Sequence, residues 1–270
     1  MPKAKVNGIS IDYSVCGRGE PLVLIMGFGG SKLGWFFQRR ACRKHFRVVT
    51  FDNRGAGRSD KPSGPYTMRM LADDVAGLMD YLKIDKAHVM GVSMGGMIAQ
   101  HVAIAYPERV KKLVLASTLP RALGDGGGGF APEVAKALGF SGGYTEEDAR
   151  SLPVGKTLGA VVAYAFNKPL YRVLGTIGSW VYPKLVDMQG VAGQSDAIMG
   201  HNTLDALHTI KAPTLVIAGT KDRIISPLAS EEMARRIPNA KLVLIEGGSH
   251  AAIAESRVRF NREVLDFLLA

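Results

Sequence analysis

The sequence predicts one α/β domain, a mainly parallel sheet covered by helices and interrupted by a long helical insertion. Short runs rich in Val, Leu and Ile alternate with longer segments of helical periodicity. That alternation breaks between Thr118 and about His208, then resumes. The chain has 270 residues, 47% apolar and 21% charged. It is long enough to bury a full core, and one elaborated domain fits better than two equal ones. Its composition is that of a globular protein and argues against extended disorder.

Val6 to Ile9 and Ile11 to Val15, with Asn7-Gly8 nearby, read as an opening antiparallel pair. The apolar runs Leu22–Met26, Val48–Phe51, Ala87–Gly91, Leu113–Ala116, Thr214–Gly219 and Leu242–Ile245 follow. They are short and continuously apolar, as strands buried on both faces should be. Met68–Leu82 places Leu71, Val75, Leu78, Met79 and Leu82 three and four apart, which makes one apolar helical stripe. Met94–Ala105 reads as a helix stopped by Pro107, and another is expected near Ala229–Ile237. The last, about Arg257–Leu269, carries Phe260, Val264, Phe267 and Leu268 on one face.

The stretch from 119 to 208 shows no strand alternation and reads as a helical cap between two sheet strands, with 1–118 and 209–270 forming the core domain. It holds Gly126–Gly129, Ser141-Gly142-Gly143 and helix-like pieces containing Tyr164, Phe166, Tyr171, Trp180 and Tyr182. Gly126–Gly129 has no side chains to pack and is expected as a mobile linker near the cap's entry.

Composition also bounds the function. Met1 to Lys5 leads into a strand without an apolar signal segment, and no apolar run reaches the roughly 18 residues of a membrane span, so a cytoplasmic protein is expected. Only Cys16 and Cys42 are present; neither sits in a catalytic pattern, and both are expected as spectators in a reducing setting. The net charge of +10 is scattered, as in Arg39, Arg40, Arg43 and Lys44, then Lys111 and Lys112, then Arg235 and Arg236. No run of five cations appears and aromatics do not interleave, so a basic surface is expected rather than a nucleic-acid site. A steering field for anionic substrates is the alternative. The oligomeric state stays open.

Val89-Met90-Gly91-Val92-Ser93-Met94-Gly95-Gly96 places G-x-S-x-G between a buried strand and a helix. A serine there sits on a sharp, strained turn that pushes its hydroxyl over the sheet edge. Gly91 and Gly95 remove Cβ atoms that would collide, and Gly96 allows close helix–strand packing. The helix N-terminus also offers N–H groups to a developing oxyanion. Ser93 is therefore the expected nucleophile.

A serine hydroxyl needs a histidine base oriented by a carboxylate. Of six histidines, His250 follows strand Leu242–Ile245 and the loop Glu246-Gly247-Gly248-Ser249, at a strand's C-terminal edge where α/β sheets gather functional groups. His101 lies within the helix after Ser93 and is expected to pack or cap locally. His45 and His88 precede strands on the remote side. His201 and His208 flank the cap's end; His201 is expected as structural, with substrate contact the alternative. Asp222 follows strand Thr214–Gly219 and is the expected acid, a turn or helix cap being its rival role. Asp205, within a helical segment leaving the cap, is the alternative acid. For the oxyanion, the Met94 N–H is the first expected donor. The second is the Phe28 N–H, in the loop Gly27-Phe28-Gly29-Gly30-Ser31. No Gly-Lys-Ser/Thr follows that loop, and dinucleotide spacing is absent, so phosphate cradling is not expected.

Together these residues resemble the α/β-hydrolase superfamily across nearly the whole chain. The order Ser93, Asp222, His250 is that of the superfamily. Phe51-Asp52-Asn53-Arg54-Gly55-Ala56-Gly57-Arg58-Ser59 is similar to its D-x-R-G-x-G-x-S stretch, which is usually structural, so Asp52 and Arg54 receive no catalytic role. Ala105-Tyr106-Pro107-Glu108-Arg109-Val110 and Ala212-Pro213-Thr214 look like core segments of capped members. Met26 departs from the pattern, standing where many members have histidine. The resemblance implies a mostly parallel eight-stranded sheet flanked by helices, with a helical cap insertion.

The resemblance also sorts chemistries. Dehalogenases and epoxide hydrolases of this fold use aspartate at the elbow, so Ser93 disfavours both. Ring-cleavage C–C hydrolases are closer, but their usual proline-containing oxyanion loop is missing from Gly27–Ser31. Small carboxylesterases and lactonases, enol-lactonase-like proteins included, fit best. C–C hydrolases stay as an alternative, as do cofactor-free perhydrolases or haloperoxidases, which share Gly-x-Ser-Met-Gly-Gly. The expected activity is hydrolysis of a small, largely apolar ester or lactone through an acyl-enzyme on Ser93, with no metal or organic cofactor required. A ligand receptor on the same fold is the non-enzymatic alternative.

Overall fold

A computed structural model describes residues 2–122, 154–169, 171, 173, 177, 181–182 and 186–270. Gly126–Gly129, Ser141–Gly143 and Trp180 lie outside the described residues.

The strands are β1 (Lys3–Val6), β2 (Ile9–Cys16), β3 (Glu20–Ile25), β4 (Phe46–Phe51), β5 (Ala87–Val92), β6 (Val110–Ala116), β7 (Thr214–Gly219) and β8 (Ala240–Ile245). They form one sheet in the order β1-β2-β4-β3-β5-β6-β7-β8. β1–β2 and β2–β4 are antiparallel; the pairings from β4 through β3, β5, β6 and β7 to β8 are parallel. The first expected strand is corrected. Asn7 and Gly8 are the turn itself, both with positive φ (46° and 78°), so β1 ends at Val6 and Ile9 opens β2.

Helices α1 (Phe36–Cys42), α2 (Met68–Tyr81), α3 (Met94–Ala105), α4 (Val154–Tyr164), α5 (Met188–Met199), α6 (Pro227–Arg236), α7 (Ala252–Glu255) and α8 (Arg257–Leu269) are described. Thr67 caps α2 by accepting from Met70 N–H, and Ser226 caps α6 by accepting from Leu228 N–H. Pro227 occupies the first turn of α6, where its missing N–H costs nothing.

Period-two alternation splits the strand side chains between two faces, and both are buried. Val23, Ile25, Val89 and Val216 join α2, α3 and α6 on one face. Leu22, Leu24, Met90 and Leu215 join Trp35, Phe260, Val264 and Leu268 on the other. Helices on both faces and parallel strands between them bring the C-terminal ends of β3, β5, β6, β7 and β8 to one sheet edge. The loops after those ends carry Phe28, Ser93, Thr118, Asp222 and His250.

Candidate active site

Ser93 closes β5 and caps α3 with φ 55° and ψ −125°, a conformation that non-glycine residues rarely adopt. Its surroundings hold it there. Ser93 N–H donates to Ala116 O at 2.9 Å, and Ser93 O accepts from Thr118 Oγ1 (2.8 Å), Gly96 N–H (2.8 Å) and Met97 N–H (3.2 Å). The glycines act by what they lack. A Cβ at Gly91 would stand 2.0 Å from Gly95 O, one at Gly95 2.0 Å from Ile25 O, and one at Gly96 2.5 Å from Thr118 Cβ. Strand, elbow and helix close up only without those atoms.

Asp222 and His250 are brought together directly. His250 Nδ1 lies 2.9 Å from Asp222 Oδ2, and both side chains are buried. A carboxylate accepts in this contact, so Nδ1 is the donating ring nitrogen. Asp222 Oδ1 accepts from Ile224 N–H (2.9 Å) and Ile225 N–H (3.0 Å). The turn-capping role and the histidine-orienting role are thus filled by different oxygens of one side chain. The two loops are laced by Lys221 N–H to Gly248 O and Gly247 N–H to Thr220 Oγ1, each 2.9 Å. Ser93 Oγ makes no hydrogen bond among the described residues, so no contact joins it to His250 here.

Near Ser93 runs the Gly27–Ser31 loop. A Cβ on Gly27 would lie 3.1 Å from Ser93 Cβ, which measures the approach. Gly29 N–H is taken by Gln194 Oε1 (2.9 Å) and Gly30 N–H by Gly27 O (3.1 Å). Phe28 N–H has no partner among the described residues. The first amide of α3, that of Met94, precedes any intrahelical acceptor. Met26, the departure noted above, fills the floor of this loop: Cβ atoms on Gly30 and Gly34 would meet its side chain at 2.7 and 2.6 Å.

Lys32, 3% exposed, bonds through Nζ to Asp12 and, at 3.0 Å, to Asp52, whose Oδ1 also accepts from Lys32 N–H at 2.7 Å. Arg54 pairs with Asp74 through two 2.8 Å bonds. Asp52 and Arg54 accordingly act in the scaffold. Thr118, Lys32 and Gln194 escaped the sequence reading. Thr118 alone had a positional signal, at the C-terminal edge just after β6; a buried lysine or glutamine leaves none.

The other histidines lie elsewhere. His88 is corrected: it is the second residue of β5, and its Nε2 lies 2.9 Å from Glu20 Oε2. His101 Nε2 lies 3.3 Å from His201 Nδ1, and His201 Nε2 lies 3.0 Å from Leu119 O. Burial pushes His101 down to about 4 and His201 to about 3, so both are neutral. Asp205 is the second residue of a 3-10 turn, Leu204–Thr209. Cys16 and Cys42 are free thiols; burial pushes Cys42 up to about 12, leaving it unreactive.

An apolar cavity of about 20 Å³ adjoins Ser93, lined by Phe28, Met97, Val161, Ile198 and Ile224. A larger cleft of about 480 Å³, between Cys16, Phe36, Arg39, Arg40, Arg43 and Lys44, contains none of the Ser93, Asp222 and His250 set. Among the described residues no group of three or more His, Cys, Asp or Glu is placed to hold a metal ion, and no helix is long and apolar enough to cross a membrane.

Comparison with known proteins bears on the family and the fold. Residues 20–256 match the family model described as the alpha/beta hydrolase fold. A protein of Azorhizobium caulinodans, provisionally named carbamate hydrolase RutD, is 27% identical over 99% of this chain and 98% of its own. One of Mycobacterium tuberculosis, provisionally named non-heme bromoperoxidase BpoC, is 30% identical over 96% of this chain and 97% of its own. The crystal structure of the enol-lactonase from Burkholderia xenovorans LB400 superposes with a TM-score of 0.83 at 31% identity, covering 100% of both chains.

Proposed function

The chain belongs to the α/β-hydrolase family, and on that premise we propose that it is a serine hydrolase of small carboxylic esters or lactones. The observation that carries this reading is the buried Asp222–His250 hydrogen bond of 2.9 Å, set on the sheet edge that also carries the positive-φ elbow of Ser93.

In this reading Ser93 Oγ attacks the carbonyl carbon while its proton passes to His250 Nε2. Asp222 holds the imidazole in the required tautomer and stabilises the imidazolium. The tetrahedral oxyanion accepts hydrogen bonds from the Phe28 and Met94 N–H groups. Collapse breaks the acyl–oxygen bond, and His250 returns the proton to the leaving alkoxide. Water repeats the sequence on the acyl-enzyme, releasing the acid and restoring Ser93. No step calls on a metal or organic cofactor.

In this reading α4 and α5 belong to a cap over the core formed by 1–118 and 209–270. The apolar lining from Val161 and Ile198, on α4 and α5, and from Ile224 favours a modest apolar acyl group. The 31% identical structure is named an enol-lactonase, which supports including lactones beside simple esters. The free thiols fit a reducing compartment such as the cytoplasm. The name of the Mycobacterium tuberculosis relative supports a second reading, a perhydrolase or haloperoxidase in which the same acyl-enzyme passes to peroxide.

Turnover decides. Many cycles on short p-nitrophenyl esters or on enol lactones, lost in Ser93→Ala, are expected. A stoichiometric burst without turnover would favour a receptor, and turnover only with peroxide present would favour the second reading.

A further inference from the structure

We propose that Gln194 is a positioning residue that sets the oxyanion loop from the cap side; this rests on the acyl-transfer reading above. Gln194 lies on α5, is 0% exposed, and spends both ends of its amide on backbone. Its Oε1 accepts from Gly29 N–H at 2.9 Å, and its Nε2 donates to Arg54 O at 2.7 Å. The amide therefore has one orientation that satisfies both contacts. Its far anchor is firm, because the Arg54 side chain is paired with buried Asp74.

The near contact falls on a sensitive peptide. Gly27 to Gly30 form a turn closed by Gly30 N–H to Gly27 O at 3.1 Å, with Gly29 third at φ +65°. In such turns the central peptide is the one that flips between turn types. Here that peptide carries Gly29 N–H, the atom held by Gln194. The next peptide is held too, by Tyr182 OH donating to Gly29 O at 2.8 Å. With Gly29 gripped on both sides, the preceding Phe28 N–H keeps a fixed direction. A buried glutamine pinning a loop amide thus serves the transition state, where donor placement matters more than ground-state binding.

The test uses the full chain with p-nitrophenyl acetate and phenylboronic acid, whose serine adduct imitates the tetrahedral intermediate. Gln194→Met keeps the shape and removes both hydrogen bonds. It is expected to lower kcat by about tenfold or more, to move KM little, and to weaken the boronate by a similar factor. Gln194→Glu keeps the acceptor for Gly29 N–H and, with its buried carboxyl protonated, the donor to Arg54 O, and is expected to recover part of the loss in that form. Gln189→Ala, an exposed change on the same helix, is expected to match the wild type. Should Gln194→Met fail to fold, Tyr182→Phe removes one hydroxyl from the same peptide and is expected to shift kcat and boronate affinity in the same direction. Folded Gln194→Met with wild-type kcat and boronate affinity, a loss confined to KM, or unchanged Tyr182→Phe in the absence of a folded Gln194 variant would overturn the proposal while leaving the hydrolase reading intact. A wild-type chain without turnover, or Ser93→Ala with full turnover, would overturn both.

Discussion

Thr118 Oγ1 donates to Ser93 O at 2.8 Å, so a residue just beyond β6 holds the strained residue that ends β5. The same side chain would meet a Cβ on Gly96 at 2.5 Å, which makes it both brace and limit for the elbow. Thr118→Val keeps the shape and removes the donor. A loss of about 1 kcal/mol in chemical denaturation is expected, with a lower kcat as the elbow relaxes. Wild-type values for both would show that the brace is idle.

Gly95→Ala is expected to be far worse, because its Cβ would lie 2.0 Å from the Ile25 carbonyl and backbone cannot step aside. Overpacking of this kind costs about 3 kcal/mol or more. Poor soluble yield or a large drop in melting temperature checks it.

Asp222→Asn separates the two roles of that carboxylate. The amide oxygen can still accept from Ile224 and Ile225, but the NH₂ then faces His250 Nδ1 and forces the wrong tautomer. A kcat lower by roughly 10⁴-fold is expected, with a melting temperature close to wild type.

Lys32 sets one ammonium between two buried carboxylates, Asp12 and Asp52, next to the Gly27–Ser31 loop. Lys32→Met strands them and is expected to destabilise the fold by about 3–5 kcal/mol, measured by denaturant unfolding. Near-neutral behaviour would mean that water replaces the ammonium.

Acid sensitivity should come from His101 and His201. Their folded values, about 4 and about 3, lie below the ordinary histidine value of 6.5, so the unfolded chain binds more protons between those limits. The stabilisation is complete above pH 6.5 and is lost on acidification toward the folded values, at about 1.4 kcal/mol per pH unit for each histidine. His201→Gln, which can still donate to Leu119 O, is expected to flatten the stability profile between pH 5 and 6.5 by about one proton. An unchanged slope would contradict the assignment.

The β7 and β8 edges show why so much of the candidate site was readable. Strand-terminal loops in a parallel sheet share one edge, so Asp222 and His250, 28 residues apart, could be paired from topology alone. G-x-S-x-G likewise encodes its steric need in two glycine positions around one serine, with Gly96 following as a third. The supports were hidden for the opposite reason. Lys32, Gln194 and Thr118 act through long-range contacts, 165 residues apart for Gln194 and Gly29, and no local pattern announces a buried polar side chain. The opening hairpin was shifted because apolar Ile9 extends a β-like run, whereas the positive φ of Asn7 and Gly8 decides where the chain turns.

The central claim is that Ser93 is the activated nucleophile. Its most direct measurement is fluorophosphonate labelling followed by peptide mapping of the wild type and of Ser93→Ala. One adduct on the tryptic peptide Ala87–Arg109 at Ser93, absent from Ser93→Ala, is the predicted result. An adduct on another residue, or equal labelling of the variant, would contradict it.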